Sequence, residues 1–148
     1  MREKMKIAIG CDHGAFDLKE EIKRRLENEG YEMVDKGIQT LHSVDYPDVA
    51  QVVCKSVVDK ETECGILLCG TGIGMSIAAN KVNGIRAALC SDTFSARMAK
   101  EHNDANVIAL GARVTGVELA YEIVKSYLGA EFQGGRHLTR VEKINALK

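Results

Sequence analysis

The segment that decides the fold is Gly65-Ile66-Leu67-Leu68-Cys69-Gly70-Thr71-Gly72-Ile73-Gly74, in which an apolar run gives way to a glycine-rich loop. Short apolar runs bounded by turn residues are typical of buried strands, so we predict a buried strand at residues 65–69. The residues after the loop predict a helix that continues to about Val82, before the turn signal Asn83-Gly84. A buried strand that passes through a glycine loop into a helix is typical of parallel α/β proteins.

The same alternation extends to both sides of this segment. Further apolar runs predict strands at residues 6–11, 31–35, 86–90 and 107–110. Amphipathic spacing predicts a helix through Leu18, Ile22 and Leu26 that stops near Gly30. A second helix is predicted to open at Tyr46-Pro47, because proline is favoured in the first helical turn. Its inner face is expected to carry Val49, Val52, Val53 and Val57.

The remaining helices are predicted mainly from their capping residues. Ser91 is a good N-cap for a helix that runs to about His102. Thr115 to Glu118 fits a capping box, and the helix it opens is expected to end at Gly129. A last helical stretch is predicted from about Arg136.

Five strands, each followed by a helix, predict a parallel sheet covered on both faces. The fold class is therefore α/β, a three-layer doubly wound, Rossmann-like sandwich with a five-stranded parallel sheet; five strands are too few for an eight-fold barrel. We expect residues 1–148 to form one domain. The C-terminal helical segment, from about residue 134, is expected to pack on a partner subunit through Leu138, Val141, Ile144 and Leu147.

Composition excludes several classes of partner. The chain has 20 Lys and Arg against 21 Asp and Glu, so its net charge of −1 provides no global field for nucleic acid or anionic lipid. No apolar run approaches the roughly 20 residues of a membrane span, and the N-terminus lacks the pattern of a secretion signal. We therefore expect a cytoplasmic protein. The five cysteines are an odd number without a Cys-x-x-Cys pair, which is typical of small buried hydrophobic residues in a reducing compartment.

Reactive residue types follow four of the predicted strands. In open α/β sheets, ligands bind beyond the carboxyl ends of the strands. Those positions hold Asp12 and His13 after the first strand, Cys69 and the loop after the third, Ser91 and Asp92 after the fourth, and Gly111 and Arg113 after the fifth.

The glycine loop has three interpretations. Its backbone N–H groups can converge on a phosphate or a developing oxyanion. It can equally be a tight strand-to-helix turn without a ligand. A dinucleotide site is a weaker alternative, because the G-x-G-x-x-G fingerprint requires glycine where Met75 stands, although Asp92 lies near the spacing of a ribose-binding acid. A P-loop is excluded because no Gly-Lys-Ser/Thr follows.

Histidines and arginines supply the other candidates. None of the four histidines lies at zinc-ligand spacing, so no metal site is expected, and His42 is interpreted as a loop residue. His102, beside Asn103, is either a solvated helix-end residue or a proton donor paired with an amide. Arg136 and Arg140 share one helix face, which is either a solvated basic surface or a phosphate clamp that Arg113 completes.

Four motifs in this order resemble the B-type ribose-5-phosphate isomerases, a family that also includes allose-6-phosphate and galactose-6-phosphate isomerases. They are Gly10-Cys11-Asp12-His13-Gly14, the run from Cys69 to Lys81, Glu101-His102-Asn103-Asp104-Ala105-Asn106, and Gly134-Gly135-Arg136-His137 through Arg140. The resemblance covers nearly the whole chain, and the combination is much more specific than any single motif.

The resemblance implies an aldose–ketose isomerisation through an enediolate, in the pentose phosphate pathway, without a metal or an organic cofactor. It implies that Cys69 is the catalytic base and that His102 opens the sugar ring. It implies further roles in substrate binding for Asp12, His13, Tyr46, Gly70, Thr71, Gly72, Ile73, Gly74 and Asn103, and in phosphate binding for Arg113, Arg136 and Arg140. Some relatives lack this cysteine and carry glutamate at the position of Met75, so this chain resembles the cysteine type.

The end of a strand beside a helix N-terminus is an environment that favours a thiolate, which agrees with a base at Cys69. The resemblance also implies a homodimer or a dimer of dimers, with sites at a subunit boundary and a small sugar phosphate as the ligand. Two alternatives remain at this point: an isomerase of a six-carbon sugar phosphate, and a non-catalytic module that binds nucleotides or sugar phosphates.

Overall fold

The computed structural model describes residues 5–37 and 44–147, and His42 lies outside these ranges. The strands are β1 (Lys6–Cys11), β2 (Glu32–Asp35), β3 (Cys64–Cys69), β4 (Ala87–Leu89) and β5 (Val107–Gly111). The α-helices are α1 (Phe16–Asn28), α2 (Tyr46–Val58), α3 (Ile73–Ala79), α4 (Thr93–Glu101), α5 (Val117–Leu128) and α6 (Arg136–Ala146). A short 3₁₀ helix, His13–Ala15, precedes α1. Along the described residues, no helix combines the length and the apolar character needed to cross a bilayer.

All strand pairings are parallel, and the strand order is β2-β1-β3-β5-β4. The chain leaves β1 toward one side to form β2 and then returns to the other side of β1 to form β3. The connections from β1 and β3 therefore diverge, and this divergence opens a crevice at the carboxyl ends of the two strands. The predicted α/β class with a five-stranded parallel sheet is confirmed.

Two helical layers cover the sheet. Residues of α1, α4 and α5 share one hydrophobic cluster with Ile66 and Leu68 of β3. Residues of α2 and α3 share the other cluster with Leu67 and Cys69, because neighbouring side chains of a strand point to opposite faces. Cys69 consequently lies on the face of the sheet that α2 and α3 cover.

Glycines on two strands let α2 approach the sheet closely. A Cβ at Gly10 would lie 2.7 Å from Val49 Cγ1, and a Cβ at Gly65 would lie 2.8 Å from Val53 Cγ1. No real side chain fits at such distances, so both glycines are required for this packing. Close packing of α2 fixes its first residue, Tyr46, at the carboxyl edge of the sheet.

Two predicted caps are wrong. Asp92, and not Ser91, caps α4, because its Oδ1 accepts the Ser95 N–H at 2.6 Å. Helix α5 has Gly116 at its N-cap without any side-chain capping bond, and Glu118 instead forms an ion pair with Arg25 at 2.9 Å. In both cases the N-cap is the residue directly after the predicted one. The backbone geometry at the start of the helix selects it, and the local sequence pattern does not specify that geometry.

Two apolar assignments also need correction. Val52 was expected on the inner face of α2 but is 46 % exposed, and Ala50 and Cys54 are buried on that face instead. Val141 was expected to meet a partner subunit but is buried within its own chain. All five cysteines are buried, as predicted.

Candidate active site

The crevice between β1 and β3 is lined first by Asp12. Its backbone N–H donates to the Leu68 carbonyl at 3.1 Å, which ties the end of β1 to β3. Its carboxylate Oδ1 accepts the Ala15 N–H at 3.1 Å and so caps the short 3₁₀ helix that begins at His13. His13 is exposed and lies at the mouth of the crevice.

Cys69 ends β3 at the floor of the same crevice. Its Sγ accepts a hydrogen bond from the Gly72 N–H at 3.1 Å. The Ile73 N–H donates to Thr71 Oγ1 at 3.2 Å. Two of the amides that were predicted to converge on a ligand therefore stabilise the loop itself, and one of them places a fixed donor on the cysteine sulfur.

Steric limits at three glycines give the loop its shape. Gly72 has φ of +80°, and a Cβ there would lie 2.9 Å from the Leu110 carbonyl carbon. A Cβ at Gly111 would lie 2.6 Å from the Thr71 carbonyl oxygen, and one at Gly74 would lie 2.5 Å from the ring of Tyr46. The loop is thus held between the end of β5 and the Tyr46 ring, which covers Gly74.

Arg113 reaches this edge because the segment after β5 is hydrogen-bonded to the loop. The Ala112 N–H donates to the Cys69 carbonyl at 2.8 Å, and the Arg113 N–H donates to the Gly70 carbonyl at 2.9 Å. The Arg113 side chain runs past Gly70, with Cδ 3.6 Å from where a Cβ of residue 70 would lie. We call the residues gathered here the cysteine half-site: Asp12, His13, Tyr46, Cys69, Gly70 to Gly74, and Arg113.

The other predicted site residues lie elsewhere in the fold. His102 is the C-cap of α4, and the chain then passes Asn103 and enters β5 at Val107. Helices that follow parallel strands run back along the sheet, so the end of α4 is at its amino edge. The Gln133 N–H donates to the Glu101 carbonyl at 3.0 Å, which brings the start of α6 to the same edge. We call this group the histidine half-site: His102, Asn103, Arg136 and Arg140.

The two half-sites are at opposite edges of the sheet. In the β3–β5 register, Gly65 pairs with Val107 and Cys69 pairs with Gly111. Four residues of strand span about 13 Å, and His102 precedes Val107 on the far side. General acids and bases act at hydrogen-bond distances of roughly 3 Å, so Cys69 and His102 of one chain do not serve the same small substrate.

Two residues that contact the histidine half-site were not predicted as site residues from the sequence. The ring of His137 stacks on that of His102, with centroids 4.2 Å apart and planes at 11°. Arg86 donates to the Asp104 carbonyl at 2.7 Å and to Asn145 Oδ1 at 2.9 Å, and so joins the turn after His102 to the end of α6. The sequence offered one indication of a role for His137, because it lies between two candidate phosphate-binding arginines. It offered no indication for Arg86, because the partners of Arg86 are distant in sequence.

The dinucleotide alternative finds no support in the fold. Asp92, its candidate ribose-binding acid, uses its carboxylate to cap α4, and the Ser95 N–H lowers the pKa of that carboxyl. Met75, at the position of the missing glycine, is completely buried.

We expect iodoacetamide at pH 8 to alkylate Cys69 before Cys54, Cys64 or Cys90. Burial raises the pKa of Cys54 and Cys64 to about 12 and that of Cys90 to about 11. Because only a thiolate reacts, about one in ten thousand thiols with a pKa of about 12 is reactive at this pH. Cys69 is also only 5 % exposed, but it lies at the carboxyl end of β3 beside the crevice, and the Gly72 N–H donates to its sulfur and stabilises the anion.

Peptide mapping by mass spectrometry after short labelling times measures the order of modification. Protein unfolded in guanidinium is the control, and all four cysteines should react there at similar rates. Labelling of Cys54, Cys64 or Cys90 as fast as Cys69 in the folded protein would contradict this prediction.

Comparison with known proteins places the chain in a family. Residues 7–144 match the family model described as Ribose/Galactose Isomerase. The chain is 52 % identical over 143 residues to ribose-5-phosphate isomerase B of Escherichia coli strain K12, covering 97 % of this chain and 96 % of that protein. It is also 52 % identical to D-erythrulose-4-phosphate isomerase of Pectobacterium atrosepticum, covering 95 % and 93 %.

Solved structures agree with the sequence comparisons. Ribose-5-phosphate isomerase B of Clostridium thermocellum superimposes with a TM-score of 0.94 at 57 % identity, covering 95 % of each chain. The range matched by the family model includes the residues of both half-sites. The chain therefore belongs to the ribose/galactose isomerase family, and it is an isomerase.

Proposed function

We propose that this isomerase interconverts D-ribose 5-phosphate and D-ribulose 5-phosphate in the cytoplasm, as a step of the pentose phosphate pathway. Two similar proteins, from E. coli and C. thermocellum, are ribose-5-phosphate isomerases B. The observation that carries the proposal is the position of Cys69 at the floor of the β1–β3 crevice, where its sulfur accepts the Gly72 N–H. An isomerase fold also disfavours the alternative of a non-catalytic binding module.

Cys69 acts as the base in this proposal. Its thiolate removes the proton from C2 of the open-chain aldose, the electrons of that C–H bond form the C1–C2 double bond, and the π electrons of the C1 carbonyl move to O1 to give an enediolate. The thiol then returns the proton to C1 while the O2 hydroxyl proton passes to O1, which leaves the C2 carbonyl of the ketose. The Gly72 N–H stabilises the sulfur anion, and other amides of the loop from Gly70 to Gly74 stabilise the enediolate oxygens. Met75, where some relatives carry glutamate, is a buried thioether that accepts no proton.

The rest of the cysteine half-site binds the sugar phosphate. Asp12 and His13 follow β1 on one side of Cys69, and Tyr46 covers the loop on another. Arg113 is exposed beside Gly70, where its guanidinium meets a phosphate oxygen or a sugar hydroxyl. Remote contacts of this kind hold the reacting carbons against the base and thereby lower the barrier.

A complete site requires a second copy of the chain. His102 opens the furanose ring by proton transfer and Arg136 and Arg140 bind phosphate, but all three lie at the opposite edge of the sheet from their own Cys69. We propose a homodimer, or a dimer of dimers, in which the histidine half-site of one subunit closes over the cysteine half-site of its partner.

Exposed apolar side chains support this assembly. At the carboxyl edge of the sheet they are Ile73, Leu89, Phe94 and Val114, with exposed fractions from 43 % to 63 %. On α6 and at its C-cap they are Leu138, Ile144 and Leu147. Clusters of exposed apolar side chains often mark protein–protein interfaces, and we assign these side chains to the contact between subunits. Light scattering that shows a fully active monomer at low concentration would contradict the dimer.

Replacement of Arg136 or Arg140 by alanine is expected to lower kcat/KM for ribose 5-phosphate by about tenfold to a hundredfold. Loss of a charge-assisted contact costs roughly 1.5–3 kcal/mol, and both side chains are exposed on α6 at the predicted subunit boundary. Steady-state kinetics measures the effect, and Lys143→Ala, on the same helix, is the matched control with near-parental activity. An equal loss on an unphosphorylated sugar would show that the arginines act structurally.

The activity itself is tested by converting ribose 5-phosphate after dialysis against a chelator. Parallel assays with allose 6-phosphate and galactose 6-phosphate test the six-carbon alternative. D-erythrulose 4-phosphate belongs in the same series, because a relative at 52 % identity carries that name. Higher kcat/KM for any of these than for ribose 5-phosphate would reassign the substrate, and no turnover of any of them would contradict the proposed function.

A further inference from the structure

His137 is the one buried side chain in the first turn of α6, between two exposed neighbours. It is 9 % exposed, whereas Arg136 and Leu138 both face solvent. Its imidazole lies against that of His102, with 4.2 Å between ring centroids and 11° between ring planes. One face of the His102 ring is therefore covered by a flat aromatic surface of its own chain.

The chain before α6 is built to hold His137 at this point. Gln133 binds Glu101 twice, through its backbone N–H to the carbonyl at 3.0 Å and through Nε2 to Oε1 at 2.8 Å. Gly134 and Gly135 then adopt positive φ values of 66° and 56°, which other residues adopt only with strain. The His137 N–H donates to the Gly134 carbonyl at 3.0 Å. The residue before His102 thus anchors the turn that delivers the second ring.

Burial and the neighbouring cationic groups favour the neutral form of His137. Burial lowers the pKa of His137, and His102, Arg136 and Arg140 lower it further. On the α4 side, the nearby carboxylates have other partners, since Glu101 binds Gln133 and Arg97, while Asp104 binds Lys100 at 2.7 Å. Two stacked imidazoles repel each other when both are protonated, and the lowered pKa of His137 limits this repulsion.

From this geometry we infer that His137 is a positioning residue for His102, fixing the plane of its ring so that the ring edge meets the sugar bound to the partner subunit. The inference rests on the proposed function, in which His102 opens the furanose. Misplacement of an acid–base group by a fraction of the hydrogen-bond length lowers the rate of its own step without changing the affinity for substrate. The side chain of residue 137 therefore needs a flat ring to fix the plane of His102, but that ring does not need to gain or lose a proton.

The test compares His137→Phe with His137→Ala on two reactions. Isomerisation of ribose 5-phosphate includes ring opening. Deuterium wash-in from D₂O to C1 of ribulose 5-phosphate does not, because that ketose has no free hydroxyl that closes a furanose. Thermal unfolding verifies that each variant is folded, and the Phe variant keeps the site filled if the Ala variant is unstable.

We expect His137→Ala to lower kcat for ribose 5-phosphate about tenfold or more, with KM and wash-in within about threefold of the parent. His137→Phe should keep kcat, KM and the wash-in rate within about threefold of the parent, and it should reproduce the parental pH profile of kcat. This split is specific to positioning, since a generally weakened structure would lower isomerisation and wash-in together.

Three results would overturn the inference. Unchanged kcat in His137→Ala means that His102 needs no support, and equal losses in the Phe and Ala variants mean that the second imidazole itself transfers protons. Parallel loss of isomerisation and wash-in means a structural role only. Failure of the proposed function looks different, because the parental enzyme then leaves ribose 5-phosphate unchanged or His102→Asn retains full activity.

Discussion

Cys69→Ala is expected to lower kcat/KM for ribose 5-phosphate by about 10²–10⁴-fold, the usual cost of removing a general base. The sulfur lies at the carboxyl end of β3, in the crevice opened by the diverging connections of β1 and β3, and accepts the Gly72 N–H at 3.1 Å. Met75, in the adjoining helix, offers no substitute base. Binding of the substrate should survive, because the phosphate contacts assigned to arginines are intact.

The direct measurement is exchange of the C2 hydrogen of ribose 5-phosphate with deuterated water. Cys54→Ala and Cys64→Ala are matched controls, since both thiols are buried in the core away from the crevice and should leave the chemistry nearly unchanged. If folded Cys69→Ala exchanges this hydrogen as fast as the parent does, another residue is the base.

His102→Asn is expected to lower turnover of ribose 5-phosphate by about a hundredfold or more, because the cyclic sugar needs its own proton transfers before it can isomerise. Deuterium wash-in to acyclic ribulose 5-phosphate should stay close to the parental rate. Full activity of this variant on ribose 5-phosphate would contradict a role for His102 in ring opening.

Mixing two inactive variants tests whether the site is shared between subunits. When Cys69→Ala and His102→Asn chains are unfolded together in equal amounts and refolded, half of the dimers are mixed. Each mixed dimer has one site with both native residues, so the mixture should recover about a quarter of the parental activity. A site built within one chain predicts no recovery, since every chain then carries a defect. Each variant refolded alone is the control.

Much of the fold follows from local sequence pattern. The runs through Ile66 and Ile108 contain enough consecutive apolar residues to predict buried strands. Because ligands of open α/β sheets bind beyond the carboxyl ends of the strands, Cys69 and Asp12 are then expected at the edge where a ligand binds. Helix caps were less predictable. Ser91 and Asp92 are both good capping residues, and only the backbone geometry at the start of α4 selects the second.

Burial within an amphipathic helix was predicted imperfectly for a similar reason. Val52 and Val53 are adjacent and equally apolar, but only Val53 points at the space left by Gly65. Which side of a helix meets the sheet depends on its rotation about its own axis, and that rotation is set by the glycines of strands distant in sequence.

Sequence by itself determined the α/β class, the residue types at the carboxyl edge and the candidate residues that the structure sorts into two half-sites, because these depend on neighbouring residues along the chain. The tertiary structure decided that the two half-sites are apart. Register between β3 and β5 puts Val107 about 13 Å along the sheet from Cys69, with His102 on the far side of Val107, and the anchored turn before α6 brings His137 onto His102. Both outcomes depend on which strands pair and where a helix docks, since local patterns specify elements but not the distances between them.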